Sequence, residues 1–221
     1  MAEEPLREST VEGVLEAVAS SEPVPGGGAV AALAGAAAAS LLAMVTSLAL
    51  RRAKDTATPI VLNALLERAH ALRERFLELA DADVAAYRSV ADALALTRAT
   101  DEERARRAES LQRALTHAAE VPLETARCAV DALRLGGELA PLCPRVAHSD
   151  LVTATHLAHA ACMAALANVD ANALSLDPSP RRAALAGACA DLAAAAHAGV
   201  DQILAPLEPA LGRWRAGPTS T

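Results

Sequence analysis

The chain has 221 residues, enough for one large domain or two small ones; 53% of them are hydrophobic, an ample core, and only 1% aromatic. Its formal net charge of −7 excludes the clustered cations that a nucleic-acid backbone requires. With Phe76, Tyr87 and Trp214 the only aromatics and Ile scarce, the core falls to Ala, Leu and Val, and an all-α protein is predicted.

Residues 7–20 predict a short amphipathic helix with Val11, Leu15 and Val18 on one face. A loop over 21–27 leads into a small-residue helix over 28–53. No charged residue occurs from Pro25 to Leu50, a length that would cross a bilayer. Ala and Gly gain little from lipid, however, and no comparable span is expected elsewhere. A buried helix, covered in part by a second copy of the chain, is predicted rather than a membrane partner.

Pro59, after Thr58, suits a first helical turn. Apolar periodicity then runs through Leu62, Leu65, Leu66, Leu72, Phe76, Leu79 and Val84 to Leu94, predicting one long helix. Thr100 and Glu103 form a capping-box pattern opening a helix over 101–135. Pro122 within it predicts a kink or break at Val121. The glycines and prolines of "LGGELAPLCPR", 135–145, predict a loop. A helix capped by Ser149 or Asp150 is expected to about Ala173. "DPSP" at 177–180 ends it, and a last helix covers 181–204, loosened by Pro206 and Pro209. No repeat or linker divides the chain, so residues 1–221 read as a single bundle-like domain of about six helices around the small-residue helix.

Cys128, Cys143, Cys162 and Cys189 form no CxxC pair and read as small buried thiols in a reducing compartment. The start "MAEEPLRE" lacks the basic-then-apolar order of a signal peptide, so a cytoplasmic location is expected.

Candidate chemistry begins at "PVPGGGAV". Three glycines before a helix mark either close packing or an anion-binding backbone of free N–H groups at a positive dipole end. Asp83 and Tyr87, four apart, share a helix face. Arg98 falls about four turns beyond Asp83, at the expected end of the same helix, where a cation is favoured. His148, near neutral in its ordinary pKa, is a candidate proton shuttle. His156 and His159 are three apart, but no third ligand stands at a familiar spacing, so no metal is expected.

Six stretches in unbroken order, over roughly residues 10–180, resemble one family: "PGGGAVAALAGAAAASLLAMV", "DADVAAYRSVADAL", "TDEERARR", "QRALTHAAEVPLETA", "SDLVTA" and "NVDAN". They resemble the formiminotransferase-cyclodeaminase C-terminal family, which includes stand-alone methenyltetrahydrofolate cyclohydrolases. The resemblance implies an all-helical homodimer acting on the one-carbon unit between N5 and N10 of a tetrahydrofolate substrate, with no tightly bound cofactor. It makes Asp83, Arg98 and Asp150 the candidate catalytic residues, the aspartates beside the substrate cation and Arg98 either on its glutamate tail or polarising the one-carbon unit. Pro25, Gly26, Gly27, Gly28, Tyr87 and Ser149 become candidate substrate contacts. Where the family carries Ser after the glycines, Lys in its "LPK" and "GN" before "SD", this chain has Ala29, Arg98 and "CPRVAHSD". Cyclohydrolase activity is expected; cyclodeaminase activity, or a non-catalytic folate- or partner-binding dimer, are the alternatives.

Overall fold

A computed structural model describes residues 5–207. Residues 1–4, Pro209 and Trp214 lie outside the described residues. Among the described residues there is no strand. The architecture is six α-helices: α1 (Val11–Val18), α2 (Gly27–Leu50), α3 (Thr58–Ala95), α4 (Asp101–Leu139), α5 (His148–Leu174) and α6 (Pro180–Leu204). Short 3-10 turns at Leu6–Glu8, Ala140–Leu142 and Arg145–Ala147 punctuate them.

Alanine explains the packing. Thirteen of the 24 residues of α2 are buried, most of them Ala or Gly. Small side chains let α2 lie close against both α3 and α5, while α4 closes the other side and α6 rests on α4 and α5. At Gly35 the fit is tight enough that an added Cβ would lie 2.3 Å from Cε1 of the fully buried Phe76. The hydroxyls of Ser40, Thr46 and Ser47 donate to carbonyls four residues earlier in α2, which satisfies them inside an apolar layer.

Several expectations are corrected. The apolar face of α1 does not reach the core: Val11 is 79% and Leu15 62% exposed, and none of the helix is buried. The preceding turn is what ties this end down, through the Leu6 N–H and Arg7 Nε to Asp81, both at 2.8 Å. Nor is α2 alone in being long and apolar enough to cross a membrane; the α5 and α6 regions are too. Helix α4 neither breaks at Val121 nor stops at the glycines. Proline removes the N–H that would bond the carbonyl four residues back, here that of Ala118. Asn172 Nδ2 of α5 donates to that carbonyl at 2.7 Å, so the helix runs on through Pro122. Further along, Gly136 and Gly137 stay helical because α6 packs on them: a Cβ at Gly136 would meet Ile203 Cδ1 at 3.0 Å. The capping box forms as expected, with Thr100 Oγ1 accepting from the Glu103 N–H and Glu103 Oε2 from the N–H of Thr100, and from that of Ala99 as well. Ser149 and Asp150 do not cap α5. They sit inside its first turn, after Ala147.

Candidate functional site

The start of α2, the second half of α3, the middle of α4 and the end of α5 enclose a cleft of about 360 Å3. Gly26, Gly27, Gly28, Asp83, Tyr87, Asn168 and Asn172 all line it. Its centre is Asp83. Helix α2 has no acidic residue in its first turn and no side-chain cap of its own. The carboxylate of Asp83, reaching over from α3, takes that place and accepts the Ala29 N–H. A carboxylate at this position faces the positive end of the helix dipole.

The glycine triplet now has a physical reason. A Cβ on Gly28 would lie 2.1 Å from Asp83 Oδ1 and 2.6 Å from its Cγ. None of the three glycines has a left-handed φ, so space rather than backbone freedom is what position 28 requires. Gly27 is different: its Cβ would stand 3.5 Å from Asn168 Nδ2, an ordinary contact. The exchange of the family's Ser for Ala29 leaves the key donor untouched, because that donor is the backbone N–H.

Burial pushes the Asp83 carboxyl above the ordinary carboxylate range, against the opposing pull of the Ala29 N–H. Tyr87 lies one turn further along α3 and is 44% exposed, so its ring stands at the mouth. Two residues to which the sequence reading assigned no role complete the wall. Asn168 Nδ2 donates to the Ala164 carbonyl, and Asn172 to Ala118. Each amide is thereby oriented with its oxygen available as an acceptor. Their signal was legible as Asn at i and i+4 in an otherwise small, apolar helix, a spacing that places both on one face.

The other expected site residues lie elsewhere. Pro25 lines an adjoining cavity of about 550 Å3 that shares Val24 with the cleft. Arg98 is not on α3, which ends at Ala95; it is exposed in the α3–α4 connection, where its carbonyl accepts from Arg104. Ser149 and Asp150 occupy the opposite end of α5, 18 residues from Asn168 or about 27 Å along the helix. Within one chain Asp83 and Asp150 are therefore not brought together. Asp150 instead neighbours Cys143, whose thiol is pushed up to about 11, by burial first and by this carboxylate second.

Fold and cleft together define an all-α protein with a carboxylate-bearing polar site. The chain belongs to the formiminotransferase-cyclodeaminase family, whose model matches residues 10–191. It is 36% identical over 168 residues to the methenyltetrahydrofolate cyclohydrolase of Methylorubrum extorquens, covering 76% of this chain and 81% of that protein. It is 34% identical over 124 residues to the formimidoyltransferase-cyclodeaminase of Mus musculus, covering 56% of this chain but only 23% of that longer protein. The crystal structure of the Thermotoga maritima formiminotetrahydrofolate cyclodeaminase superposes with a TM-score of 0.82 at 25% identity, over 93% of this chain and 98% of that one.

Proposed function

We propose that the protein is a cytoplasmic methenyltetrahydrofolate cyclohydrolase. The observation that carries this reading is the Asp83 carboxylate, set in a cleft against Gly28 and the Ala29 N–H. The long match to a cyclohydrolase, over most of both chains, gives that carboxylate its substrate class.

The substrate carries a delocalised cation over N5, the bridging carbon and N10. Asp83 faces it as the counter-charge and as the base that takes a proton from the attacking water. The new C–O bond gives a carbinolamine. Its hydroxyl then loses its proton as the C–N5 bond breaks, N5 gains one, and the carbon is left as the formyl group on N10. One proton is released overall. A carboxyl raised toward neutrality is a better matched base than an ordinary aspartate. The Asn168 and Asn172 amides and Tyr87 supply polar partners for the pterin ring, and exposed Arg98 is left with the glutamate tail rather than the reacting carbon.

The reading extends to a homodimer. The uncovered side of α2 carries Val30, Ala34, Ala37, Leu41, Met44 and Leu48, each exposed or half-buried and spaced alternately by four and three. This is the spacing of a helix–helix seam. Helices α2 and α5 run antiparallel, since Gly27 meets Asn168. A two-fold antiparallel pairing of α2 with its copy would carry the other chain's α5 start, with Asp150, toward this cleft.

The test is purified protein mixed with methenyltetrahydrofolate, following its near-ultraviolet absorbance. Decay well above the buffer rate is expected, and decay at the buffer rate would overturn the reading. Cyclodeaminase activity is the second reading, favoured by the fit to the Thermotoga maritima enzyme; ammonia release from formimidoyltetrahydrofolate, with no hydrolysis of the methenyl compound, would establish it instead.

A further inference from the structure

Among the long helices, α6 is the least embedded: of its 25 residues only Leu185, Cys189, Ala196 and Ile203 are buried. Two imidazoles cross its contact with α5. His159 Nε2 and His197 Nδ1 stand 3.1 Å apart, with ring centroids at 4.9 Å and planes tilted by 50°. As they stand, one ring donates its N–H to the lone pair of the other.

That separation is also the bite of two donors on one transition cation. Nitrogens at 2.0–2.1 Å from a metal lie about 2.9 Å apart at a right angle and about 3.4 Å apart at the tetrahedral angle. We propose that His159 and His197 form a two-imidazole site for a cation of the Zn2+, Ni2+ or Cu2+ class, which staples α6 to α5. A small rotation of the rings seats the metal between the two nitrogens, and the ring that had donated passes its N–H proton through solvent to its other ring nitrogen, so both stay neutral imidazoles. Imidazole donors suit these cations and not Mg2+ or Ca2+.

Burial first, then His197 and His156, hold the His159 ring below its ordinary pKa. His197 is exposed and His159 half-buried, so the pair is open to solvent. Among the described residues no third His, Cys, Asp or Glu completes a cluster, so water would have to take the remaining positions. The pair lies nine residues from Asn168, about 13 Å along α5, so it is separate from the folate cleft and independent of the reaction assigned there. His156 and His159, three apart in the sequence and set aside there as a metal pair, do not form the contact; the ring that stands against His159 is His197, 38 residues further on.

The experiment is thermal unfolding of the untagged full-length protein with Zn2+, Ni2+ or Mg2+, together with electron paramagnetic resonance of added Cu2+. With Zn2+ or Ni2+ at about ten times its Kd, Tm is expected to rise by a few degrees. Mg2+ should do nothing, and Cu2+ should report two equatorial imidazole nitrogens. His197→Gln changes an exposed residue and should melt as wild type without metal, yet lose the metal shift; His159→Gln should lose it too. No shift at millimolar cation, a shift that survives His197→Gln, or a single-imidazole Cu2+ spectrum would each overturn the site.

Discussion

Burial of the Asp83 carboxyl beside α2 costs stability whenever the group is ionised. Its folded-state pKa is raised, so the folded protein holds the proton more tightly than the unfolded chain does. Stability is therefore lost as pH rises from the ordinary carboxylate range through the raised value, and the loss is complete above it. Asp83→Asn keeps the shape and still accepts the Ala29 N–H. It should melt above wild type at pH 7, with the gap closing as the pH falls below about 4. The same variant should lose about 10²-fold or more in kcat/KM, the size of a missing base. In the wild type, kcat/KM should fall on acidification with an inflection above the ordinary Asp value. A variant that melts lower at pH 7, or turns over normally, would remove Asp83 from its role. The glycines divide in the same way. Gly28→Ala must push the carboxylate off the Ala29 N–H and should lose a similar factor in activity, whereas Gly27→Ala makes an ordinary contact and should keep the wild-type Tm. From sequence the triplet announced a close approach but not which glycine bears it, because the neighbour of Gly28 is 55 residues away.

At the scale of helices, periodicity and caps were legible and the effects of distant partners were not. The Thr100 capping box, the long run to Leu94 and the break at "DPSP" before α6 all depend on neighbours in the chain. Pro122 looked like a break because the sequence shows the lost N–H and not the amide that replaces it. Asn172→Ala should expose that debt. It strands the nearly buried Ala118 carbonyl, at a cost of about 1–3 kcal/mol. Calorimetry should show a fall in Tm of roughly 2–4 °C for each kcal/mol. Adding Pro122→Ala returns an N–H within the helix, so the double variant should melt above Asn172→Ala alone. If the two losses simply add, Asn172 is not what lets α4 run through its proline. Arg98 was misplaced for a related reason: the periodicity ends at Leu94, and nothing local marks the chain leaving the helix at Leu96.

For the whole molecule, composition was enough to specify an all-α bundle, since a chain rich in Ala and nearly free of aromatics can fill its core only with closely packed helices. The candidate site was legible only in part. Asp83, Tyr87 and the glycines meet in one cleft, but the "SD" pair belongs to the far end of α5, and a single chain leaves it unused. The uncharged α2 seam offers the way to reunite them, through a second copy. In such a dimer each cleft takes Asp83 from one chain and Asp150 from the other. Asp83→Asn and Asp150→Asn homodimers should then both be inactive. A heterodimer of the two, purified by distinct tags, contains one cleft with both changes and one with neither. It should recover about half of the wild-type activity per dimer. If every site were built within one chain, each cleft of that heterodimer would carry one lesion and activity would stay at the level of the single variants. Recovery requires the pairing, so a protein that runs only as a monomer in light scattering at micromolar concentration would end this account before the kinetics are measured.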